Sequence, residues 1–82
     1  MHELSLAQSV LRAVQAESDR HPGSFPVKVA VRIGEMSGGN PDALAFGFEA
    51  LTKGTEWERL ALELEPCSGG ELELAYLELE ES

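Results

Sequence analysis

Apolar positions recur with a helical period at the start of the chain and with a strand period after it. Helical spacing over residues 4 to about 20 predicts a first helix. Ser5 and Gln8 fit a capping box, so we expect Ser5 to be the N-cap. The segment at 21–23, His-Pro-Gly, should end this helix, because proline cannot continue it and glycine admits a left-handed turn.

Strict alternation over 27–33 predicts the first strand, with one buried and one exposed face. A second helix is expected from Pro41 to about Lys53. Asn40 suits its N-cap, proline its first helical position, and Asp42 complements the positive helix end. Gly54 is expected to stop this helix.

Two further alternating segments, 60–65 and 71 to about 80, predict the second and third strands. In the last strand, Leu72, Leu74 and Tyr76 share one face, whereas Leu77 and Leu79 lie on the other. Either a bulge near Ala75 and Tyr76 exchanges the faces, or the strand's end is apolar on both sides and docks a partner. A bulge is the more economical interpretation.

The order helix, strand, helix, strand, strand predicts an α/β fold, a two-layer sandwich of two helices on a three-stranded mixed sheet. We expect the second and third strands to form a hairpin through a turn at 66–70. On the open face, Lys28 and Arg32 should pair with glutamates of these strands, which are Glu63, Glu65, Glu71 and Glu73.

Composition narrows the possible partners and sites. With 82 residues the chain forms one domain, and its net charge of −9 makes nucleic acid and anionic membranes poor partners. It contains no apolar run of membrane-spanning length and no signal peptide pattern, so we expect a cytoplasmic protein. The single cysteine, Cys67, excludes an internal disulfide and a cysteine-built zinc site within one chain. No pattern typical of an enzyme occurs, so catalysis is not expected.

The first three residues, Met1, His2 and Glu3, carry the strongest candidate chemistry. An amine, backbone amides and an imidazole can close fused chelate rings around a square-planar ion, which suits Ni(II) or Cu(II). Met1 should be retained, because methionine aminopeptidases generally need a small second residue. The alternative is that His2 is an exposed residue ahead of a helix. His21 fits a helix end better than a metal site.

Several stretches carry a family resemblance: 1–9 (Met-His-Glu-Leu-Ser-Leu-Ala-Gln-Ser), 33–38 (Ile-Gly-Glu-Met-Ser-Gly), 41–44, 46–49, 51–55 and 68–74. With these, the chain resembles the HypA/HybF family of nickel-insertion factors for nickel–iron hydrogenase maturation. By that resemblance, Met1, His2 and Glu3 would bind nickel(II), and Asn40 or Asp42 would lie near the site. The implied partners are a HypB-like maturation GTPase and the hydrogenase large subunit.

The chain departs from the family pattern at one place. In the family, a zinc-binding segment with two Cys-x-x-Cys pairs interrupts the last two strands, whereas here only 66–70 stands there. We therefore expect no zinc and a single nickel-binding-type domain over 1–82, through natural loss or an engineered deletion. Cys67 is then a turn residue, a remnant ligand or a bridge between chains. A short turn also leaves open a monomer or a weak or strand-exchanged dimer.

Two functional hypotheses follow. The first is a nickel metallochaperone that binds Ni(II) at its N-terminus and passes it towards a hydrogenase. The second is a non-metal adaptor of the same maturation pathway, which docks through the acidic face or through the end of the last strand around Leu77 and Leu79.

Overall fold

The sandwich has the predicted element order. The computed structural model describes residues 3–35, 40–70 and 72–81, without the side chain of Glu3. Its elements are α1 (Glu3–Asp19), β1 (Ser24–Gly34), α2 (Pro41–Thr52), β2 (Ala61–Cys67) and β3 (Leu72–Glu81). Two helices on a three-stranded mixed sheet confirm the predicted fold class. Within the described ranges, no helix is long and apolar enough to cross a membrane.

The hydrophobic core lies between the two helices and one face of the sheet. Its buried members are Leu6, Ala7, Val10 and Val14 of α1, Val29, Val31 and Ile33 of β1, Leu44 and Phe48 of α2, and Leu60. The residues from each helix recur three or four positions apart, and those from β1 recur every second position. Helical and strand periods therefore turn these side chains towards the same interior.

The predicted hairpin between the last two strands is wrong, because β1 lies between them. The sheet order is β2-β1-β3, with β2 parallel and β3 antiparallel to β1. After β1, helix α2 carries the chain back so that β2 adds in parallel, which is the usual outcome of a helical crossover. The connection from β2 to β3 then crosses the end of β1, over about 10 Å or two strand spacings. Residues 68–71 are long enough for that, at roughly 3.3 Å each.

A bulge in β3 settles the mixed faces of that strand. Ala30 pairs with Tyr76, whereas the next residue of β1, Val31, pairs with Leu74, so Ala75 is the extra residue. The bulge turns Leu77 towards the core and Tyr76 towards the open face of the sheet. Of the two alternatives that the sequence left open, the structure confirms the bulge.

The ends of α2 agree with the sequence prediction, whereas the start of α1 does not. Asn40 caps α2, and Gly54, with a φ of 78°, follows its C-terminal end, both as predicted. The capping box at Ser5 is wrong, since α1 already begins at Glu3. Glutamate and leucine are good helix formers, so the helix extends ahead of Ser5. Inside the helix, the Ser5 carbonyl oxygen accepts a hydrogen bond from the Ser9 hydroxyl at 3.0 Å.

Candidate functional site

Helix α2 begins at the end of the sheet where β1 finishes at Gly34, which we call the Gly34 end. There Gly34 pairs with Cys67, the last residue of β2. The expectation that Cys67 is a turn residue is therefore wrong, because β2 continues through Pro66 to Cys67. A groove of about 530 Å³ is lined by Gly34, Cys67 and Pro41, the first residue of α2. The backbone N–H of Glu35 donates to the Cys67 carbonyl oxygen at 3.0 Å and joins the two strand ends. The start of α2 is therefore fixed beside two strand termini.

Helix α1 also begins at the Gly34 end, because it runs in the same direction as β3. Ser9 shares a small cavity with Leu72 at the start of β3, whereas His21 shares a groove with Leu79 near the strand's end. Leu72 pairs with Ile33, the residue before Gly34. The N-terminal ends of both helices thus lie at one end of the sandwich, and His21 lies at the other.

Of the predicted ligands, Met1 and His2 lie outside the described residues, and so does the side chain of Glu3. The backbone of Glu3 forms the first residue of α1. The first N–H groups of a helix have no acceptor within it, so helical hydrogen bonding does not use the Glu3 amide. Both helix N-termini also place partial positive charge at this end. A cation there requires negative ligands, such as carboxylates or deprotonated amides.

Asn40 and Asp42, the predicted neighbours of the site, lie at the Gly34 end but have different roles. The Asn40 Oδ1 accepts from the backbone N–H groups of Asp42 at 2.9 Å and Ala43 at 3.2 Å. That oxygen caps α2, and coordinating a metal would compete with the cap. The Asp42 side chain is exposed in the first turn of the helix. Asp42 is therefore the better placed of the two to supply negative charge.

The other residues with metal-binding side chains are dispersed. His21 is exposed at the far end of the sandwich, and Cys67 is a free, half-buried cysteine at the Gly34 end. Across residues 3–35, 40–70 and 72–81, no three His, Cys, Asp or Glu side chains cluster closely enough to hold a metal ion.

Ion pairs join the three strands across the open face of the sheet, as the sequence predicts. Lys28 Nζ lies 3.0 Å from Glu63 Oε2. Arg32 bridges both neighbouring strands, with its Nε 3.6 Å from Glu65 Oε1 and its NH1 nitrogen 3.1 Å from Glu73 Oε1. The fourth predicted partner, Glu71, lies outside the described residues. Basic residues of the central strand β1 thus form ion pairs with glutamates of both edge strands, β2 and β3.

Tyr76 completes a cluster with Lys28 and Glu63 that the sequence did not reveal. Its hydroxyl donates to Glu63 Oε2 at 2.5 Å, and the Lys28 Nζ lies 5.8 Å from the centre of its ring. The Tyr76 hydrogen bond, followed by that of Lys28, lowers the pKa of the Glu63 carboxyl. The same bond raises the pKa of the Tyr76 hydroxyl, and the hydrogen bond to Glu63 raises that of Lys28. The sequence feature that could have indicated this cluster is the bulge at Ala75, because it turns Tyr76 to the same face as Lys28 and Glu63.

A family model described as HypA, hydrogenase/urease nickel incorporation, metallochaperone, matches residues 1–76. The chain belongs to the HypA family. Its relatives include the hydrogenase maturation factors HypA of Dechloromonas aromatica, 41% identical over 64 residues, and Methanopyrus kandleri, 42% identical over 65 residues. These alignments cover 78% and 79% of this chain but only 57% and 46% of the two relatives. The chain thus spans about half the length of the curated HypA proteins it matches.

The fold of this HypA family member has a close solved counterpart. The solution structure of the Ni metallochaperone HypA from Helicobacter pylori superimposes with a TM-score of 0.83 over 100% of both chains, at 17% identity. At that identity the likeness shows the shared fold. The predicted resemblance to the HypA family is confirmed, and nickel incorporation is the activity for which the family is described.

Proposed function

We propose that this protein is a nickel metallochaperone that binds Ni(II) through its first three residues. The ligands are the amine of Met1, the amide and imidazole of His2, and the amide or carboxylate of Glu3. The match to the nickel-incorporation family over 1–76 carries this proposal, because the matched segment includes these residues. No zinc takes part, and residues 1–82 act as one nickel-binding-type domain without catalytic activity.

The scaffold suits a ligand set built from the backbone. Because α1 begins at Glu3, the chelating segment is joined directly to a helix whose Leu6 and Ala7 are buried in the core. The amide of Glu3 has no helical acceptor, and the positive helix end favours its deprotonated form. Asp42 adds a carboxylate at the same end of the sandwich. These features support a square-planar site with nitrogen ligands.

Delivery of the metal completes the proposed role. A maturation GTPase of the HypB kind and the large subunit of a nickel–iron hydrogenase are the partners we propose, in the cytoplasm. Because nickel is delivered to another protein, its ligands must be able to release it. Protonation of the imidazole and amides, or competition from the acceptor's ligands, would release the ion.

Calorimetric titration of nickel into the untagged protein tests the site. We expect binding by the native chain and loss of binding in His2→Ala and in a form with two residues added before Met1. His21→Ala is the matched control, since it removes the other histidine at the far end of the sandwich and should bind as the native chain does. Equal binding by all four proteins would show that the site lies elsewhere.

A non-metal adaptor is the second candidate, favoured by the short stretch 66–70, where the family resemblance implies a segment with two cysteine pairs and this chain has only Cys67. Such a protein would retain only docking to a maturation partner. Absence of nickel binding at micromolar metal, combined with specific retention of a purified maturation GTPase or large subunit, would support it. Nickel binding that depends on His2 would exclude it.

A further inference from the structure

A groove of about 530 Å³ runs between α1 and β3, away from the Gly34 end. Ala13, Ala16 and Glu17 form its helical wall, Leu74, Leu77 and Leu79 form its strand wall, and His21 also lines it. The two alanines leave space because each ends at its β-carbon. Leu74 and Leu77 also pack against the core, but Leu79 does not belong to that cluster. The groove thus presents apolar side chains that the protein's own core does not fully use.

The strand that lines this groove is an edge strand in the described structure. β3 is ten residues long, contains no proline, and pairs only with β1 in the part of the chain that is described. A row of backbone N–H and C=O groups along its outer side therefore has no neighbouring strand there. Such an edge can pair with another extended chain, which would also cover the groove.

The face of β3 that points away from the groove is acidic, so it favours basic residues in an added strand. Glu73, Glu78 and Glu80 lie on the open side, and of these three glutamates Glu73 pairs with Arg32. Among described residues, Glu78 and Glu80 form no ion pair. β1 already matches the inner edge of β3 with an alternating pattern, in which Lys28 lies opposite Glu78 and Val29 opposite Leu77. A strand added on the outer edge needs the same alternation.

We propose that the outer edge of β3 binds an extended segment of another protein in which apolar residues alternate with lysine or arginine. The apolar residues enter the α1–β3 groove, and the basic residues lie beside Glu78 and Glu80. A second copy of this chain fits poorly, because pairing β3 with itself would bring rows of glutamate together on one face. The proposal is independent of nickel binding.

A short peptide in which valine alternates with lysine is the probe, titrated into isotope-labelled protein and followed by the NMR shifts of β3 amides. The matched control peptide alternates valine with glutamate. The double variant Glu78→Lys/Glu80→Lys reverses the charge of the edge at two exposed positions and should still fold. Ala16→Trp fills the groove from the exposed side of α1 without changing β3.

We expect saturable shifts along β3 with the lysine peptide and none with the glutamate peptide. The charge reversal should weaken binding of the lysine peptide by about tenfold or more and allow the glutamate peptide to bind. Ala16→Trp should weaken both. Nickel titrations should be unchanged, since the groove's Leu79 end is remote from the Gly34 end. Shifts confined to other elements, equal binding of both peptides, or a β3-mediated dimer seen by sedimentation would overturn the proposal.

Discussion

Asn40→Ala separates the two roles that Asn40 can have, as a helix cap and as a neighbour of the metal. In the structure its Oδ1 accepts two backbone hydrogen bonds at the start of α2. Alanine removes both, leaving the N–H groups of Asp42 and Ala43 to water. We therefore expect a less stable protein whose nickel affinity is unchanged.

The size of the loss follows from the exposure of this cap. Asn40, Asp42 and the nearby surface are open to solvent, so water replaces much of what the side chain provided. Loss of an N-cap side chain to alanine costs about 1 kcal/mol, within a range of roughly 0.5 to 2. For a domain of this size, that lowers Tm by about 4–8 °C. The two bonds do not count separately, because they share one acceptor oxygen.

Urea unfolding followed by tryptophan fluorescence measures this change. The only tryptophan, Trp57, is half-buried and stacks on Phe25, with ring centroids 5.7 Å apart, so unfolding alters its surroundings. Asn40→Ser is the matched control, since its hydroxyl can also cap the helix and should restore most of the stability. Unfolding of Asn40→Ala at the same urea concentration as the native protein would refute the capping role. A variant that keeps its stability and loses nickel would refute it equally, because the amide oxygen would then be a ligand.

Three further predictions concern the core, the open face and the metal. Phe48→Ala should lower the free energy of unfolding by about 3–5 kcal/mol in urea titration, because its side chain is only 2% exposed. Tyr76→Phe removes a bond that lowers the pKa of Glu63, and a lowered carboxyl pKa stabilises the fold above the ordinary value of 4.5. Its deficit in unfolding free energy should therefore shrink as pH falls below that value, and a constant deficit would contradict this. Nickel affinity should fall between about pH 8 and 5, because His2 must be neutral to bind, and a flat calorimetric profile would exclude the imidazole.

Periodicity predicted the elements of this fold well and their neighbours poorly. Alternation placed β1 correctly because Val29, Val31 and Ile33 share the buried face, whereas Lys28 and Arg32 reach solvent on the other. Ala30, between these two, is buried on the open face. It did not reveal that β2 and β3 lie on either side of β1, since a strand's pattern reports which face is buried and not which strand lies beside it. The prediction that β2 and β3 run in opposite directions was correct. The chain reverses direction between them whether they pair with each other or lie on either side of β1.

The candidate site was predictable to a different degree at each residue. Asn40 followed from local rules, because an N-cap needs only its own side chain and the next turn. The cluster of Lys28, Glu63 and Tyr76 depended on a single bulged residue, Ala75, which shifts the face of everything after it. Pattern analysis could show that a face change occurs there, but its position relative to β1 comes only from the pairing of the two strands.

The sheet order also explains how the fold can exist without an insertion between β2 and β3. Each of these strands pairs only with β1 in the described structure, so no ladder hydrogen bond spans the connection at 68–71. Changing the length of that connection alters mainly the entropy of closing a loop, by about 0.6 kcal/mol for each doubling. A hairpin would have coupled turn length to strand register. Because β1 alone sets both registers, the length of the connection between β2 and β3 can change while the Gly34 end keeps its geometry.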